Sequence, residues 1–241
     1  MKVTNSEIIT AVTRGAEELG IVLPRGVSAA FASYYDLLEK RGRDVNLTSI
    51  SGEEDVARLH FLDSLALLNV HGFKNARVID VGSGAGFPGV PLKLAEPSID
   101  LTLLDATGKR VAFLSELCAE LEIDAKCIHA RAEESAQTAD LRERYDVAAS
   151  RAVARLNVLC ELCLPFVRLG GVFIAMKGVD SDEEITEANG AIAALGAQLH
   201  GCIDYAIPGT DVTHRAVLIC KTAKTPEKYP RRFARMQKDP L

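Results

Sequence analysis

RVIDVGSGAGFPGVPLKLA (Arg77–Ala95) decides the fold. An apolar run carries Asp80 near its end, and Gly82, Gly84, Gly86 and Gly89 follow, with Pro88 and Pro91 among them. Val78, Ile79 and Val81 have the β-branched character of a buried strand. The glycines free the backbone for positive φ and for close approach to a ligand. The prolines stand where a first helical turn tolerates them, because N–H groups there lack intrahelical partners. A strand, a bare loop and a helix in this order place a ligand at the carboxyl end of a strand in a doubly wound sheet.

The pattern on either side fits that frame. Before Arg77 only helical spacing is visible: Ile8, Val12, Ala16 and Leu19, then Phe31, Tyr34, Tyr35 and Leu38. Ser51 and Glu54 read as a capping box for a third helix carrying Val56, Leu59, Leu62 and Leu65. After Arg77, strands alternate with helices: DLTLLDA, KRVAFLSELCAELE, AKCIHA, a polar link, YDVAASRA and the helix LNVLCELCLPF. Gly170-Gly171 introduces strand VFIAMKG, Ser181 and Glu184 cap another helix, and QLHGCIDYAI with RAVLICKT forms a closing antiparallel pair. The expected class is α/β, a mainly parallel seven-stranded sheet with helices on both faces and an N-terminal helical extension. The expected division is a helical segment at 1–72, a ligand-binding domain at 73–222 and a basic tail at 223–241, whose final ~15 residues read as loosely ordered.

Composition removes several classes. The 241 residues are 48% hydrophobic and 25% charged, with six cysteines. No apolar run approaches the ~20 residues of a membrane helix, and MKVTNSEIITAVTRG lacks a secretory apolar stretch. A cytoplasmic protein is expected, with no membrane association. Cys160 and Cys163 form a C-x-x-C, yet no second such pair completes a zinc site. At helical spacing both thiols join an apolar face, and no metal is expected. The net charge of −5 is uneven: residues 221–241 carry seven Lys/Arg against Glu227 and Asp239, so the tail is +5 and the rest −10. An acidic body with a basic end points to a local anionic partner.

Two cofactors compete for the glycine loop. Gly84, Gly86 and Gly89 satisfy the dinucleotide spacing G-x-G-x-x-G, whereas Asp80-x-Gly82-x-Gly84-x-Gly86 is the pattern of S-adenosylmethionine methyltransferases. Gly82 sits at the strand end, where the first glycine of a fingerprint belongs, and Gly84 is two residues late. Asp80 also suits a ligand bearing an amino group and a sulfonium better than a pyrophosphate, which a carboxylate would repel. Asp105 closes the next strand 23 residues after Gly82, where either cofactor needs an acceptor for ribose hydroxyls. A helix N-cap is the plainer reading of Asp105.

Several spaced segments together resemble one family. They are NLTSI (46–50), HFLDSL (60–65), DVGSGAGFPGVPLKLAEP (80–97), LLDATGKRVAFL (103–114), RAEE (131–134), YDVAASRAVARL (145–156), GGVFIAMKG (170–178) and TPEKYPRR (225–232). Their order resembles the RsmG family, also called glucose-inhibited division protein B, bacterial methyltransferases acting on guanine N7 in 16S ribosomal RNA. The resemblance runs from about residue 30 to the C-terminus. It implies a Rossmann-like S-adenosylmethionine (SAM) pocket in which Asp80, Gly82, Gly84 and Phe87 meet the cofactor. Asp105, Ala106 and Thr107 would hold its ribose, Ala132 and Glu133 its adenine, and Arg151 would lie near the methyl and the substrate. Asn46, Asp63, Lys177, Arg231 and Arg232 are the implied substrate-binding residues, with His60 beside them or simply in the core. The implied partner is 16S rRNA of the small ribosomal subunit, and a monomer is expected. Two segments depart from the family: Arg41-Gly42 stand where it has Trp-Asn, and RRFARMQKDPL lacks its Gly-x-Pro.

The missing motifs agree with an N7 acceptor, whose lone pair carries no proton and needs no base. SRAV (150–153) replaces the Asp/Asn-Pro-Pro-aromatic turn of amine methylation, and Cys160 lies too far into its helix for C5 chemistry. Lys177 is the one candidate base for ribose methylation, but a surface or phosphate-binding lysine is the simpler reading. Arg41, Arg43 and the basic tail are expected to track phosphates. A nicotinamide-dependent oxidoreductase and a non-catalytic, SAM-responsive RNA-binding protein remain the alternatives.

Overall fold

Seven strands lie in the order β3-β2-β1-β4-β5-β7-β6 in the computed structural model, which describes residues 6–45, 47–151 and 154–241. The strands are β1 (Arg77–Val81), β2 (Asp100–Asp105), β3 (Ala125–His129), β4 (Tyr145–Arg151), β5 (Val167–Gly178), β6 (Ala197–Ala206) and β7 (Thr213–Lys221). β1 to β5 run parallel, and β7 enters antiparallel between β5 and β6. The order reverses between β1 and β4, so a crevice opens beyond their carboxyl ends.

The pleat decides which residues enter which core. Val78 belongs to one apolar cluster and Ile79 to the other, because successive side chains leave a strand on opposite faces. The first face is covered by α5 (Gly89–Ala95), α6 (Gly108–Glu120) and the N-terminal helices α1 (Ser6–Glu18) and α2 (Val27–Val45). Ile8, Val12, Phe31 and Tyr34 are fully buried there with Val78 and Leu103, so the helical extension shares the core of the sheet. The second face is covered by α8 (Leu156–Cys163) and α9 (Asp182–Ala194). Cys160 and Cys163 are buried in this layer, and burial pushes both thiols well above the usual range.

The helix after the turn-rich segment differs from expectation. It begins as α3 (Glu53–Val56), widens into a π-helical turn at Ala57–Leu62, and resumes as α4 (Asp63–Leu65) before a 3-10 turn at Ala66–Asn69. Gly52 caps it with φ 90° and no side-chain hydrogen bond, so the expected Ser51–Glu54 box does not form. Glu54 pairs instead with Arg58, one turn on. At α9, Ser181 is the N-cap but makes no capping bond, and the Glu184 side chain reaches to Lys177 and the Leu156 amide, so neither half of the expected box forms. β5 starts at Val167 rather than after Gly170-Gly171, and the polar link after β3 holds α7 (Ala132–Ser135).

The C-terminal segment is folded, which corrects the expectation of a loose tail. Tyr229 and Met236 are buried in the second cluster, and α10 (Phe233–Lys238) follows. The Lys221 ammonium is fully buried, donating to Leu164 O at 2.9 Å and Thr225 Oγ1 at 2.6 Å beside Glu143 at 3.2 Å. Burial pushes its pKa down to about 8. Arg231 makes a bidentate pair with Glu161 of α8, at 2.9 Å and 2.7 Å, and the Glu161 side chain is only 1% exposed. Removing one partner of a buried pair leaves the other charge uncompensated, at a cost of about 3–5 kcal/mol. Glu161→Ala is therefore expected to lower the urea midpoint with an unchanged slope. A wild-type midpoint would show that this pair does not anchor the tail.

Candidate active site

The glycine loop is shaped by two acids on adjacent strands. Asp80 Oδ2 accepts from Gly89 N–H at 2.9 Å, and Asp105 Oδ2 accepts from Gly84 N–H at 3.0 Å. Asp105 Oδ1 takes the Thr107 amide at 2.8 Å, so Thr107 rather than Asp105 is the N-cap residue of α6. Gly82, Gly84 and Gly86 have φ of 75°, 58° and 101°, a region costly for any residue with a Cβ. Space is short as well. A Cβ on Gly86 would stand 2.6 Å from the Tyr34 hydroxyl, and one on Gly89 would stand 2.9 Å from Asp80 Oδ2. Tyr34 of α2 donates to Ala85 O at 2.5 Å, which binds the loop to the N-terminal helices.

Asp80 is wholly buried, and its Oδ1 has no hydrogen-bond partner among the described residues. Burial pushes its carboxyl up to about 7, against the opposing pull of the Gly89 amide and of Arg151. A buried carboxyl with an unpaired oxygen is driven toward its neutral form unless positive charge lies close by.

Across the crevice, Arg151 at the end of β4 is held from four sides. Its Nη1 donates to Leu59 O at 3.2 Å and pairs with Asp63 Oδ2 at 3.3 Å; its Nη2 lies 2.9 Å from His60 Nδ1. The guanidinium lies over the Phe87 ring, 4.8 Å from the centroid. His60 stacks on the same ring at 4.5 Å, with Tyr34 and Phe61 around it. His60 Nδ1 lies 3.1 Å from Leu59 O as well, and Nε2 lies 2.7 Å from Thr48 Oγ1; the tautomer with its proton on Nε2 satisfies the Arg151 and Thr48 contacts together. Burial, followed by the Arg151 charge, lowers the His60 pKa to about 3. The π-helical turn carries His60 into this position, and such turns occur often at functional sites.

The structure gathers Asp80, Gly82, Gly84, Phe87, Asp105, Ala106 and Thr107 around β1 and β2, with Arg151 and Asp63 opposite. Phe87 is 4% exposed, a ring packed under Arg151 and His60. Ala132 and Glu133 open α7, and Glu133 lines a cavity of about 610 Å3 shared with Arg232 and Phe233. Lys177 is not surface-facing: it is 11% exposed and donates to Glu184 at 2.7 Å and Ala154 O at 2.8 Å. Arg231 is likewise committed, to Glu161, whereas Arg232 is exposed. Arg41 pairs with Glu116. Asn46 and the Arg43 side chain lie outside the described residues. Sequence reasoning missed Thr48, Tyr205 and His214, and took Tyr34 for an ordinary core residue. Tyr205 and His214 reach Asp63 from the far edge of the sheet, and no local pattern signals such a contact. Among the described residues no helix is long and apolar enough to cross a membrane, and no three metal-ligating side chains gather.

Comparison with known proteins gives a consistent picture. The family model described as rRNA small subunit methyltransferase G (GidB) matches residues 28–205. A protein of Alkaliphilus oremlandii named ribosomal RNA small subunit methyltransferase G is 45% identical over 237 residues, covering 98% of this chain and 99% of its own. Its namesake in Clostridium botulinum is 45% identical over 213 residues, covering 88% and 89%. Among solved structures, a methyltransferase from Pyrococcus furiosus superposes with a TM-score of 0.54 at 9% identity, covering 78% of this chain and 95% of its own. TYW2 of M. jannaschii, solved in complex with AdoMet, gives 0.51 at 13% identity, with 65% and 72% covered. These two likenesses establish the fold.

His60 is expected to stay neutral across the physiological range. The unfolded chain binds a proton near pH 6.5 that the native ring takes up only near 3, so this group lowers stability as pH falls through that window. Imidazole NMR signals should show His60 untitrated between pH 8 and 5. A midpoint near 6.5 would contradict the Arg151 contact.

Proposed function

The chain belongs to the rRNA small subunit methyltransferase G family, and from that membership we propose that it binds S-adenosylmethionine beside Gly82 and methylates N7 of a guanosine in 16S rRNA of the bacterial small ribosomal subunit. The observation that carries this reading is the buried Asp80 carboxyl with its unpartnered Oδ1. A cationic nucleoside fits it, and a pyrophosphate in the same place would be repelled. Asp80 would act through space on the cationic end from beneath the loop, with the Gly82 and Gly84 main chain alongside. Asp105, Ala106 and Thr107 would take the ribose, and Ala132 and Glu133 the adenine. Bound there, S-adenosylmethionine supplies a methyl group activated by its sulfonium.

The protein's own groups suit an acceptor that has no proton to lose. His60 is neutral and hydrogen-bonded at both ring nitrogens, Arg151 cannot act as a base, and Asp63 is fully engaged. Guanine N7 offers an in-plane lone pair, so the task is to hold it in line and exclude water. Methylation makes the base cationic, and Asp63 already neutralises Arg151, so the site adds little repulsion. Arg151, at the mouth, is the side chain placed to orient the acceptor. N7 lies on the major-groove edge, which A-form RNA closes to protein, so the target guanosine is unpaired or exposed during assembly. A cytoplasmic location follows from a ribosomal substrate.

Two outcomes are expected. A cation beside Asp80 favours its ionised form, so affinity for S-adenosylmethionine rises with pH and levels off above about 7. Asp80→Asn should weaken binding about tenfold or more and flatten that dependence. Calorimetry between pH 5 and 8 reads both, and tighter binding of NAD would point to the oxidoreductase instead. Labelled S-adenosylmethionine should mark small subunits from a strain lacking the enzyme, and borohydride–aniline cleavage should map the label to one guanosine. Label resistant to that cleavage would place the methyl elsewhere.

A further inference from the structure

We propose that Tyr205 and His214, on the last hairpin of the sheet, are positioning residues that aim Arg151 by fixing Asp63. The inference rests on the reading above that Arg151 orients the acceptor. Asp63 is 1% exposed and its two oxygens do different work. Oδ2 faces Arg151 at 3.3 Å. Oδ1 accepts from Tyr205 Oη at 2.9 Å and from His214 Nδ1 at 2.8 Å. Both donors come from the β6–β7 pair, where Tyr205 and His214 sit directly across from each other.

The geometry restricts what Asp63 can do. A buried carboxylate with one oxygen fixed by two donors cannot rotate to present both oxygens to the guanidinium. Arg151 is then left with a single lone-pair direction from Asp63, plus the Leu59 carbonyl and His60 Nδ1, over the face of Phe87. That set holds the guanidinium in one plane. Without the hairpin donors, Asp63 is free to swing into a bidentate pair and turn Arg151 with it. A displacement of about 1 Å at an orienting group can cost a hundredfold in rate.

The charges facing His214 are Asp63 from α4 and Arg151 from β4, with the Tyr205 phenol from β6; its partner on β5 is Gly178, which carries none. The hydrogen bond to Asp63 raises the His214 pKa above its ordinary value, against burial and Arg151. The charged pair is therefore complete below pH 6.5; as pH rises through the raised value the charge is lost, while the neutral ring keeps its Nδ1–H on Asp63. Burial and Asp63 together hold the Tyr205 phenol protonated throughout.

The test compares His214→Leu, His214→Asn and Tyr205→Phe with wild type at saturating S-adenosylmethionine, which removes the Asp80 titration. His214→Leu should lower kcat on small subunits about 10- to 100-fold while cofactor affinity stays within about twofold. His214→Asn keeps an N–H near Nδ1, so it should recover most of the rate, as a neutral His214 that still donates from Nδ1 would. Tyr205→Phe removes one oxygen and should lower kcat about fivefold, which serves if His214→Leu fails to fold. Equal losses in His214→Leu and His214→Asn would overturn the proposal, as would a Tyr205→Phe enzyme with wild-type kcat. A second readout needs no turnover: Arg151 Nη signals in the 15N spectrum should be resolved in wild type and averaged in Tyr205→Phe. Resolved signals in both would overturn the positioning role. Averaged signals in an enzyme inactive on small subunits would sink the proposed substrate and leave the positioning role standing.

Discussion

Each of two carboxylates, ending adjacent parallel strands, holds one amide of the same glycine loop: Asp80 takes Gly89 and Asp105 takes Gly84. The shape of the crevice depends on this arrangement. The loop turns through three alternating positive-φ glycines, Gly82, Gly84 and Gly86, to bring those amides back to the strand ends, and nothing bulkier fits at Gly86 or Gly89. Tyr34 closes the loop from above, which is why the N-terminal helices cannot be treated as an appendage to the site. The arrangement leaves a buried acid incompletely satisfied. An unpaired oxygen disfavours the charged form of a buried carboxyl, which is why burial raises the Asp80 pKa to about 7.

The opposite wall is made by convergence from three distant segments. β4 delivers Arg151, the π-helical turn delivers His60 with Asp63 just after it, and the loop delivers Phe87 as a flat support. Desolvation keeps His60 uncharged, so its Nδ1 can accept from Arg151 rather than repel it. The outcome is a guanidinium held in place, charge-paired with Asp63 and beside a neutral imidazole. That chemistry is consistent with membership of a methyltransferase family and with an acceptor that gives up no proton.

Local features of the sequence were legible. Strand RVIDV and the glycine loop after it read correctly because each signal is contained within about ten residues. The alternation beyond Arg77 gave the sheet, including its closing antiparallel pair. Side-chain roles set by distant partners were not legible. Glu184 looks like half of a capping box but is drawn off by Lys177, and Arg231 looks like an RNA contact but is held by Glu161. Lys221 counts as surface charge in a composition and is fully buried in the fold. His60 and Asp63, three apart on a helix, did announce a shared face, whereas Tyr205 and His214 lie about 150 residues away and announce nothing.

The central claim is that the crevice beyond the carboxyl ends of β1 and β4 takes a cationic nucleoside near the acids Asp80 and Asp105 of β1 and β2. Electron density from a crystal soaked in S-adenosylmethionine tests it most directly. The account predicts a nucleoside whose ribose hydroxyls meet Asp105, with its amino acid end along Gly82 and Gly84. An empty crevice, or a pyrophosphate seated against the glycine loop in crystals soaked in NAD, would contradict it.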